Sequence, residues 1–176
     1  MPELKISSAV AVANWMIKKN LEDPSGLTHL KIQKLLYFAQ GWHLAYFSEP
    51  LFSDSIEAWK HGPVVKSVYL KLSRFKDNII TTLITEPVAA DGGWINGTPE
   101  IRFHDDDTRW LLECVWNNDS KTDAWELVAA SHAKGGPWEQ TKALAGDDAW
   151  GYPIISLEMM KEYFESQLKL ANIDVG

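Results

Sequence analysis

Two short segments hold side chains able to bind a ligand or move a proton. One carries Glu57, Trp59 and His61-Gly62-Pro63; the other carries Ser131-His132 and Gly135-Gly136-Pro137-Trp138. Each joins a Gly-Pro step to a preceding histidine and a nearby tryptophan. If the two corners meet in space, Glu57 orients His61 or His132 and the group lines a cleft. As chemistry, Ser131, His132 and Glu57 would form a hydrolase, with nucleophile, base and orienting acid in turn. Against this, adjacent residues on a helix point about 100° apart, a poor arrangement for proton transfer from Ser131 to His132. No GxSxG nucleophile elbow occurs either. Structural hydrogen bonding is the leading reading of these residues, ahead of a binding surface and then of catalysis.

The other motif searches are mostly negative. The chain has five histidines but no HExxH pattern, and Cys114 has no second thiol to share a zinc ion. No metal or cofactor is therefore expected. His43 falls on an apolar helix face and reads as a core imidazole bonded to a neighbour. His29 and His104 fall at polar element edges and carry little signal. No phosphate loop or dinucleotide fingerprint is present. Lys31, Lys34, Lys60, Lys66 and Lys71 are the only hint of a basic face, and ordinary solvation accounts for them. A helix-turn-helix reading of the first two helices fails on a long loop and an over-apolar second helix.

Composition narrows the class. The chain has 176 residues, 45% apolar and 23% charged, which suits one ordered domain. Seventeen basic against twenty-four acidic residues leave a net charge of −7, an argument against nucleic acid as a partner. Nine tryptophans supply core area and candidate anchors for a protein partner. No run approaches the roughly 18 apolar residues of a membrane span. Met1-Pro2-Glu3-Leu4-Lys5 lacks the profile of a secretory signal, so a cytoplasmic location is expected.

The elements that must position these groups are largely helical. A helix is expected over about Ser7–Lys19, broken by Glu22-Asp23-Pro24-Ser25-Gly26. A second runs from Thr28, a good N-cap, to Phe47, with Ile32, Leu35, Leu36, Ala39, Trp42, His43 and Tyr46 on one face. Leu27 and Ile32 can staple its start. Ile56–Lys60 alternates like a strand, after which Gly62-Pro63 is expected to open a helix reaching about Phe75. Ile79–Thr82 and Glu100–Phe103 are candidate strands around a glycine-rich connection, with turns at Asp91-Gly92-Gly93 and Asn96-Gly97. Three closing helices are expected: one near Asp107, one from Asp123 that Gly135-Gly136-Pro137 ends, and one from Ser156. The fold expected is mainly α (α+β), a single helical domain built on a central amphipathic helix with a small antiparallel sheet or hairpin.

Two blocks go beyond generic pattern. Leu27–Ala45, which includes Gln40, Trp42 and His43, is followed by Pro50-Leu51-Phe52, by Ile56–Val65 and by Val68-Tyr69. Later come Glu126-Leu127, Ser131-His132 and Gly136-Pro137-Trp138. Together they closely resemble the SocA-like, or Panacea, antitoxin domain, a phage-associated family, over about residues 6–164. The resemblance implies one antitoxin domain over 1–176, encoded beside a toxin gene and neutralising the toxin by protein–protein contact, without catalysis. It also implies that an ATP-dependent protease can be a second partner, since one member hands its toxin to such an enzyme. The turn-rich segment from Ile79 to Phe103 departs from the family pattern and is expected to choose the toxin, with Trp94 as its contact residue. The rival readings are a hydrolase or metal-dependent enzyme at Glu57, His61 and His132, and a DNA-binding regulator.

Overall fold

In the computed structural model, residues 7–146 and 150–173 are described. Ile6, where the family-like region starts, lies outside them. Among the described residues there are seven α helices and two two-stranded antiparallel sheets.

Helix α1 (Ala9–Glu22) starts two residues after the expected Ser7 and runs past Lys19 to the predicted break, with the Ser8 hydroxyl accepting from Ala11 N at 3.1 Å. Helix α2 (His29–Phe47) has Thr28 as its N-cap, the hydroxyl accepting from Lys31 N at 3.3 Å. Leu27, Ile32, Leu35, Leu36 and Ala39 are completely buried, so the apolar stripe faces the core. Around α2 stand α1, α3 (Lys66–Leu72), α4 (Asp106–Asp119), α5 (Ala124–Ser131) and α7 (Leu157–Ile173), all touching it. The closest approach is to α7. A Cβ at Gly41 would lie 2.2 Å from the Phe164 ring, which itself meets Trp42 at 4.9 Å and Tyr37 at 5.6 Å between centroids.

The polar side of α2 is covered too. Lys31 and Lys34, read from sequence as solvated, are buried, because each side-chain nitrogen donates to backbone carbonyls of other segments. Lys31 Nζ donates to Ser25 O at 3.1 Å and Ser120 O at 2.9 Å; Lys34 Nζ donates to Pro63 O at 2.8 Å. Gln33 Oε1 accepts from Val65 N at 2.8 Å, and Gln40 ties down Leu51 N at 2.8 Å and Phe52 O at 2.9 Å.

The sheets depart from expectation. Strand β1 (Ile56–Trp59) pairs with β2 (Gly62–Val65), so Gly62-Pro63 opens a strand and not a helix. The reason is the two-residue connection Lys60-His61, which folds the chain straight back, and α3 begins only at Lys66. Pro63 needs no donor, and its carbonyl is the one Lys34 holds. On the other side of β1, Ala58 N donates to Pro153 O and Ile155 N to Ile56 O, both at 2.8 Å.

Ile79–Thr82 and Glu100–Phe103 form no strands; Ile80 is drawn into the core, its amide donating to Leu27 O at 2.9 Å. The strands are instead β3 (Glu86–Ala90) and β4 (Gly93–Gly97), joined at the expected Asp91-Gly92 turn, where Gly92 has φ +92°. Asn96-Gly97 is the end of β4 and not a turn. Buried Asn14 of α1 clamps both legs of this hairpin. Its Nδ2 donates to Ile84 O and Pro99 O at 2.9 Å, and its Oδ1 accepts from Ile84 N at 2.8 Å.

Among the described residues the C-terminal part holds four helices and not three. Gly135-Gly136-Pro137 ends nothing; Gly136 caps a new helix, α6 (Pro137–Ala145), with proline at its first position as its fixed φ allows. No helix among the described residues is long and apolar enough to cross a membrane.

These contacts make three expectations measurable. Leu35→Ala should lower unfolding free energy by about 2–5 kcal/mol, as for a fully buried leucine. Gly41→Ala, which improves helix propensity by about 1 kcal/mol, should nevertheless destabilise the chain, because the Phe164 ring occupies the space. A gain in stability there would refute the close α2–α7 approach. Burial holds the Lys34 ammonium down to about 7 from an ordinary 10.5. Between those values the unfolded chain binds more protons than the folded one. Stability should therefore rise with pH across that window by up to about 1.4 kcal/mol per unit. Below the folded value both states are protonated and the effect levels off. Urea titrations should show the rise in the parent and lose it in Lys34→Met; an equal slope in both would mean a solvated lysine.

Candidate functional site

The two Gly-Pro corners do meet. Gly62 has φ +100°, open to glycine but strained for other residues. A Cβ there would lie 2.7 Å from Ser131 Oγ, 3.0 Å from Lys34 Nζ and 3.1 Å from His132 Nε2. Three polar groups thus converge on one backbone atom that has no side chain of its own. Trp138 Nε1 donates to Trp59 O at 2.8 Å, and its rings lie flat on the His132 imidazole, 3.7 Å between centroids and 7° from parallel. Gly136 approaches the backbone of the α5–α6 connection closely: its amide donates to Ala133 O at 2.9 Å.

The expected orienting acid is elsewhere. Glu57 Oε2 accepts from Trp59 Nε1 at 2.7 Å, and the structure gives it no bond to His61 or His132. The indole two residues along the strand lies on the same face and captures the carboxylate first. Ser131 Oγ donates to Val128 O at 2.7 Å, so its proton is committed to its own helix and not to an imidazole. His132 follows the helix as its C-cap at φ −93°, ψ 14°. This departure from helical geometry lets its ring reach Gly62 beside Ser131 in spite of their adjacency. Its Nε2 is buried with no hydrogen-bond partner among the described residues. Burial, then the Lys34 and His61 charges, lower its pKa. A buried lysine beside a serine has the parts of a Ser–Lys hydrolase, but both side chains sit behind Gly62 with their bonds directed at backbone.

In front of this cluster opens a cleft of about 550 Å³, with Trp59, His61 and Tyr69 on its walls and Gln33 and Lys34 behind them. His29, read from sequence as a polar edge residue, is buried here with its ring 4.5 Å from that of Tyr69. Burial lowers its pKa as well. Sequence reasoning missed Gln33, Lys34 and Tyr69. The available signal was a Gln-Lys pair inside the long, largely apolar helix α2.

Other expected site residues are not brought to the cleft. Gln40 secures the loop after α2, and Trp42 packs on Phe164. His43 is the bonded core imidazole foreseen: Nδ1 lies 2.6 Å from Glu49 O and Nε2 3.3 Å from Thr108 Oγ1. Trp94 stands on the hairpin with 75% of its surface exposed. Among the described residues no three His, Cys, Asp or Glu side chains gather to hold a metal.

Comparison with known proteins follows the same residues. Residues 32–139 match the family described as "Antitoxin SocA-like, Panacea domain". The matched stretch runs from the first turn of α2 through both Gly-Pro corners. Antitoxin SocA of Caulobacter vibrioides (strain NA1000 / CB15N) is 36% identical over 131 residues, which are 74% of this chain and 68% of that protein. No solved structure matches the chain. Because the matched region contains the central helix, the strand pair packed on it and the α5–α6 corner that closes over them, the chain belongs to the SocA-like Panacea-domain family.

Proposed function

We propose that this protein is an antitoxin that neutralises a protein toxin by direct binding, without catalysis, in the cytoplasm. The kinship with Antitoxin SocA carries the reading. The committed Ser131 hydroxyl and the captured Glu57 carboxylate support its non-catalytic part.

The toxin-binding surface in this reading is the β3–β4 hairpin. Val88 and Ile95 face one another across its strands and both are exposed, with Trp94 beside them. An exposed tryptophan on an ordered support is the kind of side chain that dominates interface energetics. The Asn14 clamp supplies the support, and the Lys71–Glu86 ion pair at 2.8 Å adds to it at the base of β3. The chain's net charge of −7 suits a basic toxin, chiefly by speeding encounter.

Co-expression with the product of the neighbouring gene tests this. The neighbour alone should arrest growth, and the pair should grow. Trp94→Ala should abolish rescue and weaken binding by about 2 kcal/mol or more, with the thermal midpoint unchanged. Toxin that persists in rescued cells supports occlusion, whereas its rapid loss points to delivery to an ATP-dependent protease. A neighbour that is harmless, or a toxin equally lethal with and without this protein, overturns the assignment.

A further inference from the structure

The cleft beside the His61-Gly62-Pro63 corner has features that neutralisation does not use. Its walls are rings. Trp59 stacks on Tyr152 at 4.4 Å and 17°, and leans on Tyr69 at 4.7 Å. Trp125 also lines the cleft, 57% exposed, with its ring edge-on to His61 at 5.6 Å.

Behind the rings lie hydrogen-bonding groups left over by the fold. Gln33 is 2% exposed and His29 is 8% exposed, and Gln33 Nε2 and His29 Nε2 have no hydrogen-bond partner among the described residues. The bond from Val65 N fixes Gln33 Oε1 as acceptor, so the unpaired end of the amide is its donor end. Lys34 Nζ makes one hydrogen bond among the described residues, fewer than its donors allow. At the mouth, Lys60 and Lys76 are exposed and have no ion pair among the described residues; Asp77 is the one acid on the lining.

Two exposed lysines, Lys60 and Lys76, against one aspartate reverse the sign of a chain whose net charge is −7. Spare donors and cations ask for an acceptor-rich anion, and the rings ask for a flat partner to stack on. The volume, about 550 Å³, falls in the range of small-molecule sites. We propose that this cleft binds a small planar anion, an aromatic ring carrying a phosphate or carboxylate, of which a nucleoside monophosphate is the leading case. The ring packs against the exposed rings of Trp125 and Tyr152, and the anionic group meets Lys60 and Lys76. This proposal does not depend on the hairpin gripping a toxin, since the two surfaces share no residue.

Calorimetric titration of the full chain tests it, with AMP, GMP and 4-hydroxybenzoate as probes and adenosine and inorganic phosphate as half-ligands. At least one ring-bearing anion should bind, and should do so at least about tenfold more tightly than either half-ligand. AMP or GMP binding alone identifies phosphate as the anionic group, and 4-hydroxybenzoate binding alone identifies carboxylate; either supports the proposal. Trp125→Ala and the double variant Lys60→Glu, Lys76→Glu should each weaken binding about tenfold or more, with unchanged circular dichroism and thermal midpoint. These side chains are exposed, so loss of folding does not confound the reading. No binding up to millimolar probe, binding of phosphate as tight as that of AMP, or affinity indifferent to both variants would overturn it.

Discussion

A helix enclosed by its neighbours must pair most of the polar groups it carries inward, and α2 does so with groups of surrounding loops, strands and helices, leaving His29 Nε2 and Gln33 Nε2 without a hydrogen-bond partner among the described residues. In order along the helix, Lys31 holds the carbonyls of Ser25 and Ser120, Gln33 the amide of Val65, and Lys34 the carbonyl of Pro63. Gln40 holds residues 51 and 52, and His43 lies between Glu49 and Thr108. Each anchor takes a polar group of a loop, strand or helix from water and pairs it, and losing one partner would leave a buried polar group costing about 1–3 kcal/mol. The loops are therefore shaped by the central helix more than by their own turn residues. The His61-Gly62-Pro63 corner is the clearest case. Its position depends on a lysine twenty-nine residues earlier, which reaches Pro63 O.

Asn14 applies the same device from α1. One buried amide binds both legs of the β3–β4 hairpin, whose strands otherwise place most of their surface in water. Such a hairpin can carry exposed apolar side chains because their support lies below it and not between them. The cleft is the opposite construction, concave and locally cationic, with its hydrogen-bonding groups sunk behind aromatic walls. One acidic chain thus presents an apolar hairpin and a recessed, locally cationic cleft, two surfaces that differ in charge and in shape.

How far these features were legible in sequence depends on the distance over which they are decided. The α2 boundary, its Thr28 cap and its apolar stripe come from neighbours within one or two turns, and they were readable. So was the buried face of α4, where Leu111, Leu112, Val115 and Trp116 recur at helical spacing. Gly62-Pro63 and Gly136-Pro137 look alike locally, yet one opens a strand and the other a helix. What separates them is outside the dipeptide: β1 lies two residues before Gly62 and offers a partner strand, whereas no strand precedes Gly136. The hairpin strands were misplaced for a related reason. Ile79 and Ile80 have strand-like side chains, but the core takes Ile80, and pairing falls to less β-prone residues flanking the Asp91-Gly92 turn.

By itself the sequence determined what local chemistry can specify: a helical chain with one dominant apolar rod, two Gly-Pro corners rich in histidine and tryptophan, and a family signature spanning both. Tertiary structure alone decided that Lys34 is buried, that Glu57 serves Trp59 and not a histidine, and that Gln33 Nε2 and His29 Nε2 are buried beside a cleft with no hydrogen-bond partner among the described residues. The physical reason is that a polar side chain has the same propensity whether it ends in water or on a carbonyl. Only the approach of a distant segment settles which of the two it meets.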